Sequence, residues 1–242
     1  MVGLRISLLI VLLSVAIPAG WARAETVSDT LKAVRAAARK NDNRGVVARF
    51  PRLTYLYTLK VPPGSPRVTP EMIRSLRAAK DRFFAFARGL LGSMDQFRPV
   101  EVIRCPIQVA GSRSAGALEM ALVQVRHPWA RFLAAWKVMS RDKDRPALQR
   151  LERGLIARGD LVKVGSRRYV YSLIVLIRVS PATRALFKSR FDWANRRVKD
   201  GAWVIDRFDQ KSSGESNWKR IKTRLKCQPL DGPAPAAPGS GG

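Results

Sequence analysis

Apolar residues recur every three to four positions in some stretches of the chain and every second position in others, and this change of period lays out most of its elements. Val27, Leu31, Val34 and Ala38 share one helical face, with Thr26 or Ser28 placed to cap it, so the spacing predicts a helix running to about Lys40. Asn41-Asp42-Asn43 breaks that helix. Val46, Val47 and Phe50 then define a short second one over 44–50, which Pro51 stops. Leu53, Tyr55, Tyr57 and Leu59 alternate with polar neighbours, the pattern of a strand over 53–61, before a run of Pro and Gly ends it. Thr69-Pro70-Glu71 combines an N-cap, a first-position proline and a first-turn acid, and opens a long helix to about Leu91. Ile73, Leu76, Phe83, Phe84, Ala87, Leu90 and Leu91 form its apolar face.

Strand patterns dominate after this helix, over 99–109, 117–126, 168–179, 187–197 and 202–208. The last two are joined through Val198-Lys199-Asp200-Gly201, and Asp-Gly between alternating segments predicts a hairpin. The basic stretch 128–158 reads as one or two helices, with Pro146 near the second start and Leu148, Leu151 and Leu155 in register. A further amphipathic helix is predicted over 215–226. Helices followed by antiparallel strands place the chain in the α+β class, with a helical insertion between strands.

The first residues carry a different pattern. A short cationic start, an apolar run over 6–17 and the small residues of Ala22-Arg23-Ala24 compose an export signal, and cleavage after Ala24 is expected. The apolar run falls short of the roughly 20 residues a membrane span needs. The mature chain then consists of one domain over 25–228 and a tail over 229–242, rich in Pro, Ala and Gly, that is expected to be disordered. A periplasmic or secreted location follows from the leader. Its removal takes away only Arg5 and Arg23, so the charge belongs to the domain.

That charge is large: 45 Lys and Arg against 18 Asp and Glu, a formal +27, in a chain that is 46% hydrophobic and so able to build a core. It implies attraction to anionic material and says little about fold. Composition alone offers a bland account, because Arg prevails over Lys as GC-rich coding would produce. Cys105 and Cys227 make an even count in an exported chain, which points to one disulfide closing a loop of some 120 residues. The competing reading leaves Cys105 buried as a small hydrophobe. Two distant cysteines and one histidine supply no closed metal-ligand set, and neither metal nor cofactor is expected.

Two segments carry a family resemblance: Ala36-Ala37-Ala38-Arg39-Lys40-Asn41-Asp42 passing into Val46-Val47-Ala48-Arg49-Phe50, and the closing stretch Asn195 through Gly201-Ala202-Trp203-Val204-Ile205. With the order of elements between them, they resemble the nuclear transport factor 2-like (cystatin-like, SnoaL-like) superfamily. The resemblance implies N-terminal helices packed on a curved antiparallel sheet around a cone-shaped pocket, which relatives use for small molecules, for isomerase or dehydratase chemistry, or only for dimerisation. The insertion over 128–158 is long for that family, and its catalytic residues find no motif here onto which to be carried. A homodimer is one implied arrangement.

Candidate chemistry divides between surface and pocket. Over 215–226, Trp218, Ile221 and Leu225 form one stripe flanked by Lys219, Arg220, Lys222, Arg224 and Lys226, a pattern suited to an anionic membrane or polymer surface. The same stripe also fits docking onto the sheet, with the cations left in solvent. A second basic zone, including Arg131, Lys137 and Arg141, is interleaved with Trp129, Phe132 and Trp136; stacking aromatics among cations also suit single-stranded nucleic acid, expected here only as non-specific binding. Asp192, Asp206 and Asp209 lie on the last two predicted strands, where a pocket would gather them, each with an arginine partner expected. His127, before Pro128 at a strand end, has no nucleophile motif beside it. The sequence thus supports a basic, non-catalytic binding or accessory protein of the cell envelope that docks to anionic polymers or a membrane surface, or else a small-molecule-binding or weakly catalytic cone-pocket protein using the carboxylates of the last two strands.

Overall fold

Thr26 opens the first helix with a capping box: its Oγ1 accepts from the Asp29 N–H at 3.1 Å, and the Asp29 carboxylate accepts from the Thr26 N–H at 3.2 Å. Helix α1 (Val27–Arg39) follows, and Asn41, in the left-handed region at φ 58°, turns the chain into α2 (Asn43–Arg49). The computed structural model describes residues 25–51, 69–108, 115–140, 144–187 and 198–230. The expected export signal over 1–24, the strand over 53–61 and nearly all of the tail lie outside the described residues. Helix α3 (Pro70–Ser93) is capped by Thr69, whose side chain accepts from the Met72 N–H.

The remaining elements are β1 (Gln96–Gln108), β2 (Ala115–Pro128), α4 (Trp129–Met139), α5 (Arg145–Ala157), β3 (Leu161–Val164), β4 (Arg167–Arg178), α6 (Pro181–Leu186), β5 (Trp203–Gln210), α7 (Lys211–Leu225) and β6 (Gln228–Pro229). The strands form one antiparallel sheet in the order β3-β4-β2-β1-β6. β5 joins the same edge of β4 as β3: Arg167–Val170 pair with β3, and Ser172–Arg178 pair with β5. The fold is α+β, with the N-terminal helices preceding the sheet and a helical insertion between β2 and β3.

The sheet is covered on both faces. Residues 172–177 of β4 are all buried, which is why this segment reads as a nearly unbroken apolar run. Leu173, Val175 and Ile177 join Leu118, Met120 and Leu122 on the outer face, under Trp218 of α7. Ile174 and Leu176 join Ala121, Val123 and Val125 on the inner face, against Leu31 and Val34 of α1 and Phe84 and Leu91 of α3. Helices α4 and α5 close one end, where Trp129, Phe132 and Leu155 meet Leu161 and Val170. Gly89 lets α3 approach α4, since a Cβ there would lie 2.9 Å from the Ala135 methyl.

Helix α7 is held down at both ends. At its start the fully buried Asp160 accepts from the Ser212 N–H at 2.9 Å and from the Ser212 hydroxyl at 3.1 Å, capping the helix from across the fold. A Cβ on Gly214 would sit 2.9 Å from the Leu173 side chain, so glycine sets the depth of docking. At its end Lys226 takes the left-handed conformation, φ 51°, and turns the chain toward Cys227. The expected disulfide Cys105–Cys227 is present, and beyond it β6 pairs with β1, with the Leu230 N–H donating to the Val102 carbonyl at 2.9 Å. The bridge is consistent with an extracytoplasmic location. Among the described residues no helix is long and apolar enough to cross a membrane.

Two expectations change. The strand predicted over 187–197 does not begin at Phe187, which is the C-cap of α6; Ser180 caps that helix by accepting from the Thr183 N–H at 3.1 Å, and Pro181 opens it. The rest of that segment lies outside the described residues, and the described partner of β5 is β4. β3, α6 and β6 are additions to the sequence reading.

Replacing both cysteines by serine frees a loop spanning 122 residues. In the chain-entropy model this costs roughly 4–5 kcal/mol. Urea unfolding of the double variant against the oxidised parent measures it, and equal midpoints would show that the bridge contributes nothing to stability.

Candidate functional site

A register shift in β5 stands at the first candidate, a cavity between β5 and α3. Ile205 pairs with Leu176 and Arg207 with Val175, so Asp206 is an extra residue between them and forms a bulge. Asp206 is 3% exposed, and its Oδ2 accepts from the Arg207 Nε at 3.2 Å. Asp206 and Asp209 line a cavity of about 390 Å³ with Phe208, facing Phe83, Phe86 and Leu90 of α3 and Phe50 at the end of α2. The α3 residues reach it because positions 83, 86, 87, 90 and 91 fall on one stripe at helical spacing. The volume suits a small molecule. Two of the three carboxylates expected at a pocket thus converge; Asp192 lies outside the described residues.

Behind Phe208 lies a pair that sequence reasoning missed. His127 is fully buried, its ring centre 5.7 Å from that of Phe208, and its Nδ1 is 2.7 Å from the Ser93 hydroxyl. Ser93 donates its own proton to the Leu90 carbonyl at 2.7 Å, so Nδ1–H donates to Ser93 and Nε2 carries the bare lone pair. Among the described residues Nε2 has no hydrogen-bond partner. A serine beside a histidine suggests a nucleophile and its base, but both side chains are sealed from solvent and the serine proton is committed elsewhere. The pair fastens the end of α3 to β2. Ser93 and His127 stand 34 residues apart, and no local motif marks them.

The expected surface site is divided. Trp218 is 4% exposed, so it is no interfacial anchor; its Nε1 donates to Glu101 Oε2 at 2.7 Å, and Lys222 Nζ donates to both Glu101 oxygens at 2.9 Å. Of the two readings of this stripe, docking on the sheet is the one found. Glu101 gives the indole an acceptor and thereby makes its burial affordable. Burial pushes the Glu101 carboxyl up, but the hydrogen bonds from Trp218 and Lys222 outweigh it and hold the group below the ordinary carboxylate value. Lys219, Arg220, Arg224 and Lys226 remain exposed.

In the second basic zone Arg131 and Lys137 are exposed, and Arg141 lies outside the described residues. Trp129 and Phe132 are core residues, 8% and 7% exposed, and give no stacking platform for bases. Arg126 grips Asp95 with Nε and Nη2 at 3.0 and 3.1 Å and lies 4.3 Å from the Tyr169 ring centre.

Compared with protein-family models, curated proteins and solved structures, the chain finds no match.

Burial lowers the His127 pKa to about 4, with Asp95 pulling it the other way. Between the ordinary histidine value of 6.5 and about 4 the unfolded chain takes a proton that the folded chain refuses, so stability falls as the pH is lowered through that window, by about 3 kcal/mol in all. Glu101 and Glu119, whose carboxyls are held below 4.5, lose their contributions only at lower pH. Unfolding free energies measured from pH 6.5 to 5 should therefore slope in the parent and be flat in His127→Phe; equal slopes would reject this account.

Proposed function

We propose that the protein is a periplasmic or secreted, non-catalytic binding protein that takes a small ligand into the cavity between α3 and β5. The observation that carries this reading is the 390 Å³ cavity itself, walled by phenylalanines and floored by Asp206 and Asp209. Carboxylates accept hydrogen bonds and do not donate them at neutral pH. The ligand therefore has an apolar body and a donating end, an amine or an alcohol. The resemblance to the nuclear transport factor 2-like superfamily, with its interior pocket, supports the same reading, and the leader and the disulfide support the location. Asp206 is engaged with Arg207, as the excess of arginine led one to expect, which favours holding a ligand over acid–base work.

A second reading, docking to anionic envelope polymers or a membrane surface, draws on a different observation. Lys219, Arg220, Arg224 and Lys226 face solvent on the layer that covers the outer side of the sheet. Exposed cations also stand on α1, α3 and α5 of the other layers, so the surplus is spread widely and attraction to anions is not confined to α7. The two readings are compatible, because the cavity and the α7 surface involve separate residues.

Titration calorimetry with octylamine, 1-octanol and octanoate tests the pocket. Amine and alcohol should bind saturably at one site and octanoate at least about tenfold more weakly, since it repels the carboxylates. Ala87→Leu, which fills the cavity from α3, should abolish binding while the fold persists. Binding unchanged in Ala87→Leu, or none of the three compounds binding, would overturn the reading.

A further inference from the structure

The start of α4 and the β3–β4 hairpin enclose a second concavity, of about 480 Å³, whose chemistry is unlike that of the pocket. Arg131 enters from α4 and Arg167 and Arg168 from β4, against Trp129, Tyr169 and Asp95. The anion already in the cleft is spent, because Asp95 is gripped on both oxygens by Arg126. Arg168 is shared with Glu152 and lies 5.6 Å from the Trp129 ring centre. Arg131 and Arg167 are exposed, and neither meets a carboxylate among the described residues. Lys163, opposite Arg168 in the hairpin register, is a further exposed cation at the same end.

We infer that this cleft binds phosphate groups carried along an anionic polymer, with Arg131 and Arg167 as the gripping pair. The inference rests on the second reading above and gives it a location away from α7. Guanidinium forks match phosphate oxygens in shape as well as charge. Two uncommitted arginines hold a free phosphate ion weakly. A chain of phosphates reaches Lys163 and Arg168 as well, and the linked contacts add by raised local concentration.

Titration of the protein with short-chain polyphosphate and with inorganic phosphate, at matched phosphate concentration and near-physiological salt, separates the possibilities. Polyphosphate should bind at least about tenfold more tightly than the free ion. The double variant Arg131→Gln/Arg167→Gln should lose about tenfold in polyphosphate affinity, whereas Lys219→Gln/Arg224→Gln, which removes the same charge from α7, should lose less than about twofold. All four positions are exposed, so both variants should unfold at the parent temperature. Equal losses in the two variants would overturn the cleft and leave diffuse docking standing. Absence of polyphosphate binding in the parent would overturn the cleft and the docking reading together, and equal affinity for free phosphate would overturn the polymer as ligand.

Discussion

Burial of β4 on both faces is the constraint from which the rest of this fold follows. A strand with six consecutive buried residues, 172–177, cannot face water on either side, so the chain must supply two covering layers. The inner layer, α1 to α3, comes from the N-terminal side and packs through long apolar stripes. Among the described residues the outer layer has one long helix, α7, with a modest apolar stripe of Trp218, Ile221 and Leu225. It therefore depends on ties: Asp160 at its first turn, Glu101 under its middle, the disulfide and β6 beyond its end. The left-handed Lys226 belongs to the same arrangement. A non-glycine residue there costs roughly 1–2 kcal/mol. The covalent link at the next residue fixes the turn.

The scarce acids explain how so basic a chain stays folded. Among the described residues, carboxylates stand at joints between elements: Asp95 meets Arg126, Glu119 lies between Arg104 and Arg178, Asp160 holds Arg158 and α7, and Glu101 holds α7 to β1. Glu119 shows the balance of effects, since burial pushes its carboxyl up while the bonds from Arg178 and Arg104 bring it below the ordinary value. With these acids used at joints, the surplus cations are left to solvent, where each repulsion is weak and screened by salt. Net charge is thus partly a remainder of how the joints are made. At the cleft proposed above, concave shape gathers Arg131 and Arg167 while the neighbouring acid, Asp95, is held by Arg126.

The chain itself announced its helices and long strands because periodicity and caps are local. Thr26, Thr69 and Pro146 marked starts that the structure keeps, and the run 168–179 marked β4. β3 was missed because four residues give too short an alternation, although Gly165-Ser166 beside it marks the turn. α6 was missed although Ser180-Pro181 is a legible start; apolar residues after it suggested a strand instead. The disulfide was legible from export and count. Docking of Trp218 on the sheet was one of two readings of its stripe, but its acceptor Glu101, 117 residues earlier, was not legible. Asp206 and Asp209 were found as candidates, but the bulge that separates their neighbours' register has no signature in a single sequence.

That bulge also argues for where function sits. At several other places local preference and global fold agree: the indole has its acceptor, and the helix start at Ser212 has Asp160. At β5 they conflict. An acid is turned into a wall of phenylalanines and a cavity is left where larger side chains from α3 would close it. Even with Arg207 beside it, a carboxylate at 3% exposure costs desolvation that an apolar residue would not. Conflicts of this kind, where a local rule is broken without a gain in packing, are expected at functional sites. That conflict supports the proposal of the α3–β5 cavity as a ligand site over one resting on the surrounding cations alone.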